Sequence, residues 1–80
     1  MTAALKKAEA IRNWSTEPAD AKKLDKLAKL FLDLDDCRRV CVAGDALKID
    51  AFFMAIANQR QYLAAERMIR FCRKNGLPLP

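Results

Sequence analysis

The stretch from Ile49 to Cys72 holds the densest set of large apolar side chains in the chain. On a helix with about 100° per residue, its first apolar residues share one stripe: Ile49, Phe52, Phe53 and Ile56. Beyond residue 58 the same stripe would carry Arg60, Arg67 and Arg70. The second apolar set would then lie on the opposite side: Tyr62, Ala65, Met68, Ile69 and Cys72. A single straight helix would therefore exchange its apolar and charged faces halfway along.

Four consecutive polar residues, Asn58-Gln59-Arg60-Gln61, stand where the two faces would exchange. A break there lets the chain fold back so that both apolar stripes meet, and it predicts a C-terminal helical hairpin with helices over about 46–58 and 61–75. Gly44 is expected to end the helix that precedes this hairpin, and Gly76 is expected to end the second helix of the hairpin. The tail that follows stays extended because it holds two prolines.

The first half of the chain predicts two further helices. The first spans about 3–14, with Thr2 as its N-cap. The second spans about 18–43, begins with Pro18 in its first turn, and keeps its large apolar residues at spacings of three and four: Leu24, Leu27, Phe31 and Leu34. The whole pattern predicts an all-α fold, in which a single domain over residues 1–80 forms a compact three- or four-helix bundle with a C-terminal helical hairpin.

Residues 47–80 resemble one helical-hairpin repeat of the pentatricopeptide and tetratricopeptide kind. The apolar positions of the first repeat helix are matched by five residues: Leu47, Ile49, Phe52, Phe53 and Ile56. Those of the second are matched by five more: Tyr62, Ala65, Met68, Ile69 and Cys72. Asn75-Gly76-Leu77 resembles the exit turn. The resemblance implies the hairpin geometry, and we take nothing about function from it.

The charge balance is moderately basic. Fifteen Lys and Arg residues stand against ten Asp and Glu, which gives a formal net charge of +5. An excess of this kind suits an anionic partner, such as an acidic protein surface or a nucleic acid. The longest apolar run is far shorter than the roughly 20 residues of a membrane-spanning helix, so no membrane association is expected. Three cysteines without a secretory signal favour reduced thiols and a cytoplasmic location.

No constellation of catalytic or metal-binding residues is visible. The chain has no His, and therefore no imidazole base or ligand. Cys37, Cys41 and Cys72 supply at most three of the four ligands that a structural zinc site takes, and free cysteines are usually small buried hydrophobes. The acidic residues around Asp35 lack the glycine turn and distal Glu of a calcium loop. We predict a non-enzymatic protein without cofactor or metal.

The last predicted helix carries the surface with the most distinctive composition. Residues 60–75 contain five bases and a single acid, Glu66. Guanidinium groups beside an aromatic ring suit bidentate contacts to carboxylate or phosphate combined with stacking. We therefore predict a partner-binding face formed by six residues: Arg60, Arg67, Arg70, Phe71, Arg73 and Lys74. The alternative is that the bases complement the C-terminal end of the helix dipole while the aromatic ring packs inside.

These features lead to one leading functional hypothesis and two alternatives. The leading hypothesis is a small protein-binding module, an adaptor or stoichiometric inhibitor, that docks on a larger protein with an acidic surface. The first alternative is RNA or DNA binding, in which the same bases neutralise phosphates and binding weakens steeply with salt. The second is a structural subunit of a larger complex. A homodimer stays open as well, because the apolar stripes are wide for so short a chain.

Overall fold

A computed structural model describes residues 2–80, and within that range the chain is helical with no strand. Helix α1 spans Ala3–Arg12, α2 spans Ala21–Leu47 and α3 spans Ala51–Asn75. A short 3-10 turn, Pro18–Asp20, leads into α2. Helix α2 packs against both of the others. The all-α prediction is confirmed, and the described residues form three α-helices.

The predicted break at Asn58–Gln61 is wrong, because α3 runs through it without interruption for 25 residues. Gln and Arg are good helix formers, and the segment holds neither Gly nor Pro. Its side chains are exposed or half-buried, so they remain hydrated on a continuous helix. The separate helices over 46–58 and 61–75 are therefore replaced by one. The repeat-like hairpin that the resemblance implied within 47–80 is likewise not formed by the described residues.

Helix α2 ends on a lysine rather than on the predicted glycine. Lys48 has φ 52° and ψ 48°, the left-handed conformation, and the Ile49 N–H donates to the Gly44 carbonyl at 3.2 Å. This is the Schellman arrangement, usually built on glycine. Gly44 itself is buried inside α2, where an added Cβ would lie 2.5 Å from Met54 Sδ. Gly44 therefore serves the close approach of α3 and does not end the helix.

The helix ends otherwise follow local chemistry. The Thr2 hydroxyl accepts from the Leu5 N–H at 3.2 Å, and the Asp50 carboxylate accepts from the Phe52 N–H at 2.7 Å. These contacts cap α1 and α3. Gly76, with φ 66°, ends α3 in the left-handed conformation. Two boundaries differ slightly from the prediction, since α1 ends at residue 12 and α2 begins at residue 21.

The hydrophobic core occupies one end of the molecule. Its buried residues come from α1, the first half of α2 and the second half of α3: Ala8, Ile11, Leu27, Ala28, Leu34, Ala64, Met68 and Cys72. No residue between 38 and 63 belongs to this cluster. Helix α1 has 10 residues and α2 has 27, or about 15 Å against 40 Å. A helix so short covers less than half of α2.

Polar contacts hold α1 on α2 in an antiparallel arrangement. Arg12 Nε lies 3.1 Å from Asp25 Oδ1, and Lys7 Nζ lies 5.3 Å from the centre of the Phe31 ring. Lys29 Nζ reaches the other oxygen of Asp25 at 3.0 Å. Hydrogen bonds from Lys29 and then Arg12 hold the Asp25 pKa below its ordinary value. Asp25 thus joins α1 to α2 through its ionised form.

The molecule is more extended than a compact chain of its length. Its radius of gyration is 14.4 Å, whereas a compact 80-residue domain has about 12 Å. Its extents are 47 × 28 × 15 Å. Within residues 2–80, no helix is sufficiently long and apolar to cross a membrane. The extension arises because the turn end of the α2–α3 pair projects beyond the core.

Candidate protein-binding surface

Because α3 is continuous, one exposed stripe runs along most of its length. Its members follow each other at alternating spacings of three and four, and we call this set the outer stripe: Phe53, Ile56, Arg60, Leu63, Arg67, Arg70 and Lys74. It lies about a third of a turn around α3 from the stripe that packs in the interior. The stripe is apolar in its first part, and we call residues 60–74 of it the basic half.

The bases of the outer stripe are held out into solvent. Arg70 is paired with Glu66 one helical turn earlier. Arg60, Arg67 and Lys74 have no ion-pair partner among the residues that the structure describes. Three cationic groups are therefore available to a ligand without breaking an internal salt bridge. Breaking the Arg70–Glu66 pair would also cost little, because isolated surface pairs contribute little to stability.

Two residues of the predicted face lie elsewhere. Arg73 is exposed, but it points about 100° around the helix from Lys74, so it flanks the stripe. Phe71 is half-buried and packs against the core cluster, with Lys26 Nζ 5.2 Å above its ring. The structure thus brings four of the six predicted residues onto one stripe and places the aromatic ring at its inner edge.

Shallow hollows follow the seam between α2 and the basic half. One has a volume of about 240 Å³ and is lined by five residues: Asp33, Cys37, Arg60, Leu63 and Arg67. The next, of 290 Å³, is lined by Lys26, Leu30, Arg67, Arg70 and Phe71. Arg67 borders both hollows. The seam therefore combines a mixed polar and apolar hollow that contains one carboxylate with a second, mainly apolar hollow, and cations border both.

The turn end of the α2–α3 pair exposes a group of large apolar side chains, which we call the apolar end: Val40, Val42, Leu47, Ile49, Phe52, Phe53 and Ile56. Phe52 and Phe53 are 66% and 61% exposed, and their rings meet edge to face with centroids 5.8 Å apart. Sequence reasoning placed four of these residues in the core. The exchange of faces along a straight α3 was the signal that could have identified them as a surface.

The second predicted core stripe of α3 is only partly internal. Met68 and Cys72 are buried and Ile69 is half-buried, whereas Tyr62 is 67% exposed. Burial raises the pKa of the Cys72 thiol. Cys41 is also buried, and Cys37 is half-buried beside the basic half. Among residues 2–80, no three side chains of the His, Cys, Asp or Glu type cluster so that they could hold a metal ion.

The largest hollow lies at the opposite end of the molecule from the turn. Its volume is about 590 Å³, and it is lined by Trp14, Ser15, Asp20, Leu24, Asn75, Gly76, Leu77 and Pro78. The Ser15 hydroxyl donates to Asp20 Oδ2 at 2.8 Å, so the polar groups there already satisfy each other.

No protein-family model, no curated protein and no solved structure matches the chain.

Proposed function

We propose that this chain is a small, non-enzymatic protein-binding module that docks on a larger protein through the basic half of the outer stripe. One observation carries the proposal: Arg60, Arg67 and Lys74 are exposed along a single helix face and form no ion pair with any residue from 2 to 80, and Leu63 lies between them. Such a row of cations around an apolar residue is complementary to a surface that presents carboxylates around an apolar side chain.

The preferred partner element is an acidic amphipathic helix. Spacings of three and four are those at which one helix lays its side chains along another. The hollows of about 240 and 290 Å³ beside the basic half offer room for apolar side chains between the cations. Arg in particular forms bidentate hydrogen bonds to carboxylates, so it gives the contact a fixed geometry as well as charge.

Charge-reversing substitutions test whether the basic half binds a partner, because they change surface charge and leave the fold intact. The variant Arg60→Glu/Arg67→Glu changes two exposed residues that have no ion-pair partner in the described part of the chain, so its helicity should match that of the wild type. Lys22→Glu/Lys23→Glu is the matched control, since it changes net charge equally at exposed positions near the start of α2. Immobilised wild-type, variant and control chains are exposed to lysate of the producing cells, and each retained protein is purified and titrated by calorimetry.

We expect a stoichiometric complex with the wild type and the control, and at least about a tenfold loss of affinity with the variant, because like charges now oppose each other. Fluorescence anisotropy with generic RNA and DNA oligonucleotides tests the alternative. Nucleic-acid binding that falls by about one log unit per log unit of salt for each phosphate contact would replace the protein partner with a nucleic acid. Unchanged protein binding by the variant would reject this face.

A further inference from the structure

No other part of the chain that the structure describes covers the apolar end. The core cluster draws on α1, residues 27–37 of α2 and residues 64–77, and the tail packs at that same end through Leu77. Beyond it, α2 and α3 bury few residues against each other, chiefly Cys41, Gly44 and Ala57. Small residues at this seam bring the helices close together and leave the large apolar side chains facing outward.

The surface area shows how much of this exposure is unusual. The chain has an accessible surface of 5885 Å², whereas a compact monomer of the same mass has about 4,900 Å². The excess is about 1,000 Å², and a standard protein interface buries about 800 Å² on each partner. The excess of the whole chain thus equals the area that one partner contributes to a standard interface, and seven of the twelve large apolar side chains that the described residues expose belong to the apolar end.

Charge indicates which partner fits. Residues 40–57 contain two acids and one base, namely Asp45, Asp50 and Lys48, whereas residues 58–75 contain five bases and one acid. In a two-fold symmetric interface a patch meets its own copy, so a strongly charged patch would repel itself. The apolar end is nearly neutral and meets this condition. The basic half does not, and it stays available for an acidic partner.

The helical geometry fits the same partner. At the apolar end α2 and α3 are antiparallel neighbours, with exposed apolar residues on both, for example Leu47 on α2 and Phe53 on α3. Two such helix pairs placed face to face form a four-helix arrangement, the usual way in which antiparallel helix pairs bury their apolar sides. We propose that the apolar end is the interface of a symmetric homodimer, in which two copies of the chain meet through their α2–α3 turn ends.

Sedimentation equilibrium of the full chain tests the proposal directly. The expected result for the wild type is a species of twice the 9.0 kDa chain mass, dissociating only toward the low end of a range from about 1 to 500 μM, since interfaces of this size bind at micromolar affinity or tighter. A wild-type chain that remains at 9.0 kDa through this range would overturn the proposal and leave the apolar end to a different protein.

Two variants locate the interface. Phe53→Asp and Phe52→Ser change side chains that are 61% and 66% exposed in the single chain, so both should keep wild-type helicity by circular dichroism. Each should raise the dimer dissociation constant at least about 30-fold, the loss typical of a central interface residue. Leu79→Asp is the matched control because that side chain is 57% exposed but lies in the tail; it should leave the dimer intact.

The outcomes stay distinct from those of the proposed function. A folded Phe53→Asp chain that keeps the doubled mass would reject the apolar end as the interface, whatever the basic half binds. Arg60→Glu/Arg67→Glu should remain dimeric, because these residues lie outside the apolar end. Conversion of that variant to a monomer would show that the copies meet through the basic half instead.

Discussion

Met54 packs against Gly44 so closely that a Cβ added to the glycine would lie 2.5 Å from the methionine sulfur. The next nearest atom, Ile49 Cδ1, would lie at 2.9 Å. This pair sets the distance between α2 and α3 near their turn. The close approach of the two helices accompanies the outward placement of the large side chains at the apolar end.

We predict that Gly44→Ala is energetically coupled to Met54→Ala. In the wild type, the gain of about 1 kcal/mol from replacing a helical glycine is offset by overpacking against the methionine. In the Met54→Ala background the nearest contact is removed and only the Ile49 side chain remains close, so the same change should be more favourable than in the wild type. Urea unfolding of the four chains should give a coupling energy of about 1 kcal/mol or more. Additive effects would contradict the close contact.

Lys48→Gly should stabilise the protein by about 0.5 to 1 kcal/mol. Lys48 has φ 52°, and this left-handed conformation costs a residue with a Cβ about 1–2 kcal/mol, part of which is lost again to the greater freedom of glycine in the unfolded chain. Chemical denaturation measures the difference. Lys48→Ala removes the same charge but keeps the Cβ, so it should show no gain; an equal gain there would assign the effect to charge.

The continuity of α3 gives a third prediction at Gln59. Gln59→Pro should destabilise the chain by about 3 kcal/mol or more, because proline inside a helix removes a hydrogen bond and clashes with the preceding turn. Gln59→Ala should be neutral or slightly stabilising, since the side chain is exposed. Circular dichroism with urea titration distinguishes the two. A tolerated proline would restore the break that the polar run at 58–61 predicted.

A fourth prediction concerns pH. Lys29 and Arg12 hold the Asp25 pKa below its ordinary value, so ionised Asp25 favours the folded state. Its contribution is complete above the ordinary aspartate pKa of about 4 and is lost as pH falls through the lower folded pKa. Asp25→Asn should therefore be less stable than the wild type at pH 7, and the difference should shrink under acid conditions.

Thermal unfolding between neutral and strongly acidic pH measures this difference. Asp36→Asn is the control, because Asp36 is exposed and has no ion pair within residues 2–80. Its stability should follow that of the wild type over the whole range. A difference between wild type and Asp25→Asn that stays constant with pH would show that the carboxylate contributes through packing alone.

Local patterns were sufficient for much of the fold. The N-caps Thr2 and Asp50 act where their short polar side chains precede helical segments, and Leu24 and Leu27 lie in the interior as their spacing predicts. The C-terminal end of α2 carries no such signal. A lysine in the left-handed conformation is unusual, so the sequence predicted that Gly44 ends the helix. Gly44 instead leaves space for the Met54 side chain.

The prediction for α3 was wrong because it gave apolar burial within one chain more weight than the helix propensity of the polar run at 58–61. Closing Phe52 and Phe53 onto the second apolar stripe would bury more apolar surface within one chain, and that expectation produced the break. Polar residues such as Gln59 do not interrupt a helix, however, and no local feature overrides their helix propensity. Arg67, Arg70 and Lys74 share one helix face in both layouts because both place residues 61–75 on a single helix, whereas Arg60 lies in register with them only because α3 is continuous.

Because α3 is continuous, the apolar part and the basic half of the outer stripe have a fixed orientation relative to each other. Inserting a single residue between Ile56 and Arg60 would swing the cations about 100° away from the phenylalanines and shift them by about 1.5 Å. A flexible loop could adjust its conformation to such an insertion, whereas in a continuous helix every following residue is rotated and shifted. The number of residues between the apolar end and the basic half therefore fixes how these two surfaces are oriented relative to each other.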